Sequence, residues 1–172
     1  MTVDHVRWAV ATGSSITRRP STSIRIESPT TRPIALKVET AAKNRPLSAG
    51  ERVQLVVSPA EDAFVYCYLH DEDGKVLRIF PNRFARNARI AAAKPLALPG
   101  TMGFELTAGR SGVSEHVACF ATPSDVLASL APSVGGADLE PLSVKSLDQV
   151  RGEFVKTAGP NVGQAMLSIR PQ

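Results

Sequence analysis

The sequence is poor in aromatic residues and in cysteine, and it has no long apolar run. Aromatic residues make up 5% of the chain, with a single tryptophan, and there are two cysteines. No stretch approaches the roughly 18 apolar residues that a membrane-spanning helix requires, so we expect no membrane span. The first apolar run contains Asp4, His5 and Arg7, which does not fit the apolar core of a leader peptide. We therefore expect a periplasmic or envelope-associated location if a leader has been removed, and a cytoplasmic location otherwise.

Sequence patterns that mark common enzyme and metal sites are also missing. The chain has no P-loop, HExxH or GxGxxG pattern, and the glycines of 109–112 have the wrong spacing for a GxSxG nucleophile elbow. The absence of a CxxC pair argues against zinc and thioredoxin-like redox chemistry. We therefore predict that the protein is not an enzyme and has no cofactor and no metal. The alternative is a hydrolase whose site is assembled from distant residues, since such sites leave no local pattern.

One turn gathers four candidate ligand side chains, those of His70, Asp71, Glu72 and Asp73. The calcium-loop pattern fails here because Gly74 is followed directly by a β-type segment. We interpret these residues as a solvated hairpin tip.

Positive charge is concentrated before residue 33. Residues 1–32 contain five arginines and two acids, so they contribute +3 of the formal net charge of +4. The rest of the chain is nearly neutral, whereas a nucleic-acid-binding domain concentrates Lys and Arg on one face. The same residues are rich in Ser and Thr and lack an apolar period. We predict a basic tail or linker over 1–32, a single β-sandwich domain over 33–172, and no nucleic-acid partner.

Short β-type segments separated by turn residues follow from residue 33 onwards. Close spacing of this kind is typical of sandwiches and barrels. Residues 63–70 are apolar on both faces, which favours a central strand, and the turn at 71–74 predicts that 75–80 pairs beside it in the centre. We predict an all-β, immunoglobulin-like antiparallel sandwich with strands at 34–41, 52–58, 63–70, 75–80, 96–99, 103–108, 115–122 and 162–169.

Two short helices are predicted before the last strand. Thr122 can cap a helix that has Pro123 at its first position and that ends before Pro132. Ser146 and Gln149 form a capping box for a second helix, which Gly159 ends.

Several sequence features follow one another in a characteristic order. They are an aromatic-rich strand, a charged turn ending in glycine and a strand ending in Phe-Pro-Asn. They correspond here to Tyr66-Cys67-Tyr68, residues 71–74 and Ile79-Phe80-Pro81-Asn82, followed by Leu98-Pro99-Gly100, Phe104 and Cys119-Phe120-Ala121. This order resembles that of a bacterial family, domain of unknown function 4384. The resemblance implies a small β-sandwich module of cell-envelope proteins or lipoproteins, or one appended to domains such as serine/threonine kinases and caspase-like peptidases. It carries over no catalytic residue.

The two cysteines, Cys67 and Cys119, fall in two predicted core strands. If the strands are antiparallel neighbours, their Cα atoms can approach closely enough for a disulfide, which would imply an oxidising compartment. The alternative is a pair of buried thiols that act as small apolar residues.

The densest positive run of the predicted domain consists of Arg78, Arg83, Arg86 and Arg89, around the corner that contains Asn82. Guanidinium groups on a loop held by a rigid sheet suit recognition of carboxylates or phosphates. We therefore take these five residues as candidates for binding an anion or a partner. The alternative is a solvated loop with Phe84 packed beneath it and Asn82 capping the turn.

These observations predict a function by binding. We expect a non-enzymatic protein-interaction or scaffolding module of a bacterial envelope-associated assembly, with a protein as its partner. The alternative is a module that binds a small ligand or cell-wall glycan, which requires exposed aromatic side chains. The candidates for that role are Trp8, Tyr66, Tyr68 and Phe84.

Overall fold

A computed structural model describes residues 32–172. Nearly all of the predicted tail, including Trp8, therefore lies outside the described residues. The described chain forms the strands β1 (Leu36–Thr40), β2 (Leu55–Pro59), β3 (Ala63–His70), β4 (Val76–Phe80), β5 (Arg89–Ile90), β6 (Leu96–Leu98), β7 (Glu115–Thr122) and β8 (Gly163–Ile169).

The strands form two antiparallel sheets. One sheet has the order β1-β2-β6, and the other has the order β4-β3-β7-β8, with β5 pairing with the start of β3. Buried side chains from both sheets, among them Leu55, Val57, Val65 and Val117, pack into one core. The predicted all-β antiparallel sandwich is thereby confirmed.

β3 and β7 lie inside the larger sheet and are buried on both faces. On β3, Val65 and Cys67 belong to the core between the sheets. Tyr66 and Tyr68 point to the other face and belong to a second core, which includes Phe154. The alternation of side chains along a strand explains this division. The prediction of a central strand at 63–70 is confirmed.

β4 lies at the edge of its sheet, so the predicted central position of 75–80 is wrong. Its outer side is covered by a loop, because the backbone N–H groups of Leu139 and Leu142 donate to the carbonyls of Arg78 and Val76. The loop satisfies edge groups that would otherwise be open to another strand.

The helices before β8 differ in part from the predicted ones. Helix α2 (Leu147–Ala158) begins as predicted, with the backbone N–H of Gln149 donating to the Ser146 side chain. The helix predicted after Thr122 is wrong, because the backbone N–H groups of Val126 and Leu127 donate to the Tyr66 hydroxyl and to Asp125 Oδ1 and not to helix carbonyls. A 3₁₀ turn (Leu127–Ser129) and the one-turn helix α1 (Pro132–Gly135) follow instead. Within residues 32–172, no helix is long and apolar enough to cross a membrane.

The strand predicted at 103–108 is also wrong. This segment bonds to residues 50–53 at separate points, with Val53 N–H donating to Leu106 O and Ala108 N–H donating to Glu51 O. Such scattered bonds leave a single bridge, between Arg52 and Thr107, in place of a continuous ladder. β5, which was not predicted, provides the eighth strand.

Candidate anion-binding pocket

The candidate site is built on the corner loop, residues 81–88, which connects β4 to β5. Both strands pair with the same edge of β3, at Cys67–His70 and at its first two residues respectively. The backbone N–H of Val65 also donates to Ala88 O over 2.8 Å. The corner loop is therefore anchored at both ends to the most buried part of the sheet.

Asn82 organises the turn at the start of the corner loop. Its Nδ2 donates to Ile79 O over 2.8 Å, and its Oδ1 accepts from the N–H groups of Phe84 and Ala85 at 2.9 and 3.1 Å. The residue is 3% exposed, and its amide nitrogen and oxygen form their hydrogen bonds within the turn, as amide side chains often do. Asn82 supports the site and offers no free oxygen to a ligand.

Arg78, on β4, is a buried cation. It is 7% exposed, its Nε donates to Pro81 O over 3.0 Å, and its Nη1 donates to Gly135 O. None of the carboxylates in the described part of the chain forms an ion pair with it. Backbone carbonyls compensate the charge by their dipoles, and Asp138 attracts it from beyond ion-pair distance, so the cation can still attract a further anion.

Arg83 is already paired with a carboxylate. Its backbone N–H and its Nε donate to Asp138 Oδ2 over 2.6 and 3.2 Å, and Glu140 lies 3.8 Å away. Burial acts to raise the pKa of Asp138, but the hydrogen bonds and the charge of Arg83 outweigh it and lower the pKa below the ordinary 3.8. Asp138 therefore remains ionised at neutral pH.

A cavity of about 320 Å³ opens between these groups. We call it the arginine pocket, and its lining consists of Arg78, Pro81, Asn82, Arg83, Arg86, Leu127 and Asp138. Arg86 is exposed and makes no hydrogen bond or ion pair with any residue from 32 to 172. The pocket thus contains two arginines without a carboxylate partner and one that is paired.

Four of the five candidate residues taken from the sequence meet in this pocket. Arg89 does not, because it lies on β5 and pairs with Asp62 at 3.4 Å, with both side chains exposed. Asp138 and Leu127 were missed by the sequence analysis. They lie about 40 to 60 residues from the corner loop, and no local pattern could have connected them to it.

Phe84 does not pack beneath the corner loop. It is 51% exposed, and its ring stacks on Phe104 with the centroids 6.3 Å apart. Tyr66 and Tyr68 are fully buried, so neither can offer a platform to a glycan. Their hydroxyl groups donate to Asp125 Oδ1 and Val134 O, and burial raises the pKa of both.

Cys67 and Cys119 lie directly opposite each other on β3 and β7. Their sulfur atoms form a disulfide with an S–S distance of 2.04 Å. The bridge lies in the core between the two sheets, and each half of it is fully buried.

The predicted hairpin tip uses its carboxylates internally. Asp71 Oδ1 accepts from the backbone N–H groups of Asp73 and Lys75, and Arg110 pairs with Glu72 and Asp73 at 3.1 and 3.3 Å. In the part of the chain that the structure describes, no group of three or more His, Cys, Asp or Glu side chains could hold a metal ion.

Comparison with known proteins identifies one family. Residues 47–125, just under half of the chain, match the model of the family described as "Domain of unknown function (DUF4384)". The matched segment contains the corner loop, its arginines and both cysteines, whereas Asp138 lies beyond it. No curated protein and no solved structure matches the chain significantly.

Proposed function

With residues 47–125 matching a family whose description states no activity, we propose that this protein is a non-enzymatic protein-interaction or scaffolding module. In this proposal the arginine pocket binds an anionic group of a partner protein. The module acts in a bacterial envelope-associated assembly. The buried disulfide supports that location, since disulfides persist in oxidising compartments and are rare in the cytosol.

The observation that carries the proposal is the charge of Arg78. Burying a cation without a carboxylate partner costs free energy, and an apolar residue of similar volume would avoid that cost. A partner anion that enters the pocket would recover it through charge-assisted hydrogen bonds from Arg78 and Arg86. Because the carbonyls of Pro81 and Gly135 hold the Arg78 guanidinium, that group is positioned before the partner arrives.

A second cavity makes a weaker candidate for an anion. It has a volume of about 340 Å³, and its lining includes Arg52, Gln54 and Met102. Arg52 is paired with Glu105 at 2.7 Å. Its positive charge is therefore already neutralised, unlike the charges of Arg78 and Arg86.

A small anionic ligand is the second candidate occupant of the arginine pocket. Its volume of about 320 Å³ is near the lower end of the roughly 300 to 1,000 Å³ of small-molecule sites. A small ligand bound in the pocket would leave Phe84 exposed to solvent, whereas a protein partner would cover Phe84 as well.

The test is site-specific photo-cross-linking in the bacterium that carries the native gene. We would place p-benzoylphenylalanine at position 84, beside the pocket, and at position 166 on β8 as a matched control. Phe84 and Met166 are both 51% exposed. We expect a discrete protein adduct from position 84, none of the same mass from position 166, and loss of the adduct on Arg86→Glu.

Arg86→Glu should leave folding intact, because an exposed residue without partners contributes within about 0.5 kcal/mol to stability. Thermal unfolding checks this. The same adduct from both positions, no adduct from position 84, or an adduct that persists in Arg86→Glu would each contradict the proposal.

A further inference from the structure

We propose that the arginine pocket takes the side-chain carboxylate of an acidic segment in the partner, and that an apolar side chain of the same segment packs on Phe84 and Phe104. This inference rests on the proposed function and specifies its partner. It is carried by two separate features, the charge in the pocket and the aromatic pair beside it, in which Phe84 is exposed and Phe104 is partly buried.

The chemistry of the anion follows from the charges around the pocket. Arg78, Arg83 and Arg86 face Asp138 in the pocket, and Glu140 lies against Arg83. These five groups leave one positive charge in excess, which suits a single carboxylate better than a doubly charged phosphate. Asp138 shows that the corner loop already holds one carboxylate, through both the backbone N–H and the guanidinium of Arg83.

A side-chain carboxylate fits better than a C-terminal one. Chain termini are usually captured by clusters of free backbone N–H groups. In the corner loop, the N–H of Arg83 donates to Asp138, and those of Phe84 and Ala85 donate to Asn82. The guanidinium groups of Arg78 and Arg86 remain as donors, and such groups bind acidic side chains in pairs of hydrogen bonds.

The aromatic pair lies next to the pocket through direct contacts. Asn82, which lines the pocket, donates from Nδ2 to Met102 Sδ over 3.3 Å. Gly103 follows, and a Cβ there would come within 2.7 Å of the Phe84 ring, so only glycine lets the ring lie where it does. Met102, Gly103 and Phe104 also line the second cavity.

The second cavity therefore lies beside the aromatic pair, on the side of Phe104. Aromatic and arginine side chains that lie together at a surface are the residues that most often carry binding energy at protein interfaces. Because Phe84 directly follows Arg83, which lines the pocket, one short segment with both an acidic and an apolar side chain can reach both features.

The test uses defined tripeptides and the protein labelled with ¹⁵N for NMR titration. The first probe is acetyl-Asp-Gly-Phe-amide. The control probes are acetyl-Asn-Gly-Phe-amide, acetyl-Asp-Gly-Ser-amide, acetyl-Asn-Gly-Phe as the free acid, and inorganic phosphate. We expect saturable shifts at the side-chain Nε–H of Arg78 and Arg86 and at the amides of Phe84 and Gly103 with the first probe.

Replacing Asp by Asn in the probe should weaken binding about tenfold or more, because a charge-assisted hydrogen bond contributes about 1.5–3 kcal/mol. Replacing Phe by Ser should also weaken it, and Phe84→Ala should remove that difference between the two probes. In the protein, Arg86→Ala should lower the affinity. Asp138→Asn should raise it, since it frees Arg83 and removes a like charge.

Equal affinity for the Asp and Asn probes, or for the Phe and Ser probes, would overturn this inference. So would tighter binding of the free acid or of phosphate at the same residues. If the cross-link from position 84 still depends on Arg86 in any of these cases, the proposed function stands and only the partner chemistry is wrong.

Discussion

At the scale of single residues, the three arginines of the arginine pocket lie close together in the sequence and differ in physical state. Arg78 is buried against backbone carbonyls, Arg83 is paired with Asp138, and Arg86 reaches into solvent without a described partner. Only the neighbours that each side chain meets distinguish them. Arg86 can therefore be replaced at little cost, whereas loss of Arg78 would leave the carbonyls of Pro81 and Gly135 without a donor.

The ion pair of Asp138 predicts a pH-dependent contribution to stability. Its folded-state pKa is lowered, so the stabilisation is fully present above the ordinary value of 3.8 and is lost as the pH falls through the lower folded value. We expect the difference in unfolding free energy between wild type and Asp138→Asn to be constant near neutral pH and to shrink below 3.8. Urea unfolding over a pH series measures it.

The partner variant Arg83→Gln provides the control for that series. It removes the side-chain contacts of Arg83 and leaves the backbone N–H that donates to Asp138, so its difference from wild type should also decline at low pH, by a smaller amount. A difference for Asp138→Asn that is as large in acid as at neutral pH would contradict the assignment.

At the scale of elements, a glycine in β8 and a glycine in α2 differ in the space that surrounds them. In β8, a Cβ on Gly163 would lie 2.2 Å from the carbonyl oxygen of Ile34, so the strand depends on a close approach between two backbones. In α2, Gly152 has open space around its Cβ position. One glycine is required by its surroundings, and the other only weakens its helix.

These two glycines give a prediction with opposite signs. Gly163→Ala should destabilise the protein by about 1–3 kcal/mol, because the backbones must separate. Gly152→Ala should stabilise it by about 0.5–1 kcal/mol through the higher helix propensity of alanine. Chemical denaturation of both variants beside wild type measures the two changes. A neutral Gly163→Ala would show that β8 can shift away from Ile34 freely.

At the scale of the whole molecule, the larger sheet separates two cores. One core lies between the sheets and contains the disulfide, and the other contains Tyr66, Tyr68, Phe120 and Phe154. The second core joins α2 to the sheet, since the Phe154 ring stacks on Phe120 at 4.6 Å. Asp138 lies on the loop that connects α1 to α2. The arginine pocket therefore depends on the packing of these helices as well as on the sheet.

The disulfide should contribute strongly to the stability of this arrangement. It joins residues 52 positions apart, and the chain-entropy account of such a loop gives about 4 kcal/mol. We expect reduction of the wild-type protein to lower its free energy of unfolding by an amount of this order, measured by urea denaturation with and without reductant. Cys67→Ala/Cys119→Ala is the control and should not respond to reductant. An unchanged midpoint in the wild type, with both thiols shown to be free, would contradict this expectation.

Local sequence by itself determined the sandwich, the central strand and helix α2. The two-faced apolar run at 63–70 has one favourable location, inside a sheet, and the Ser146 cap of α2 depends on a residue three positions away. The four arginines around the corner loop could likewise be recognised, because they lie within twelve residues of one another.

Tertiary structure alone decided where the segment after Thr122 lies and which side chains form the arginine pocket. The helix predicted after Thr122 does not form because the backbone N–H of Val126 donates to the hydroxyl of Tyr66 on β3, and this long-range bond overrides a good local helix signal. The same long-range packing brings Asp138 to Arg83, buries Arg78 and leaves Arg89 outside the pocket. Contacts between residues far apart in the chain depend on how whole elements pack, and the spacing of neighbouring residues carries no record of them.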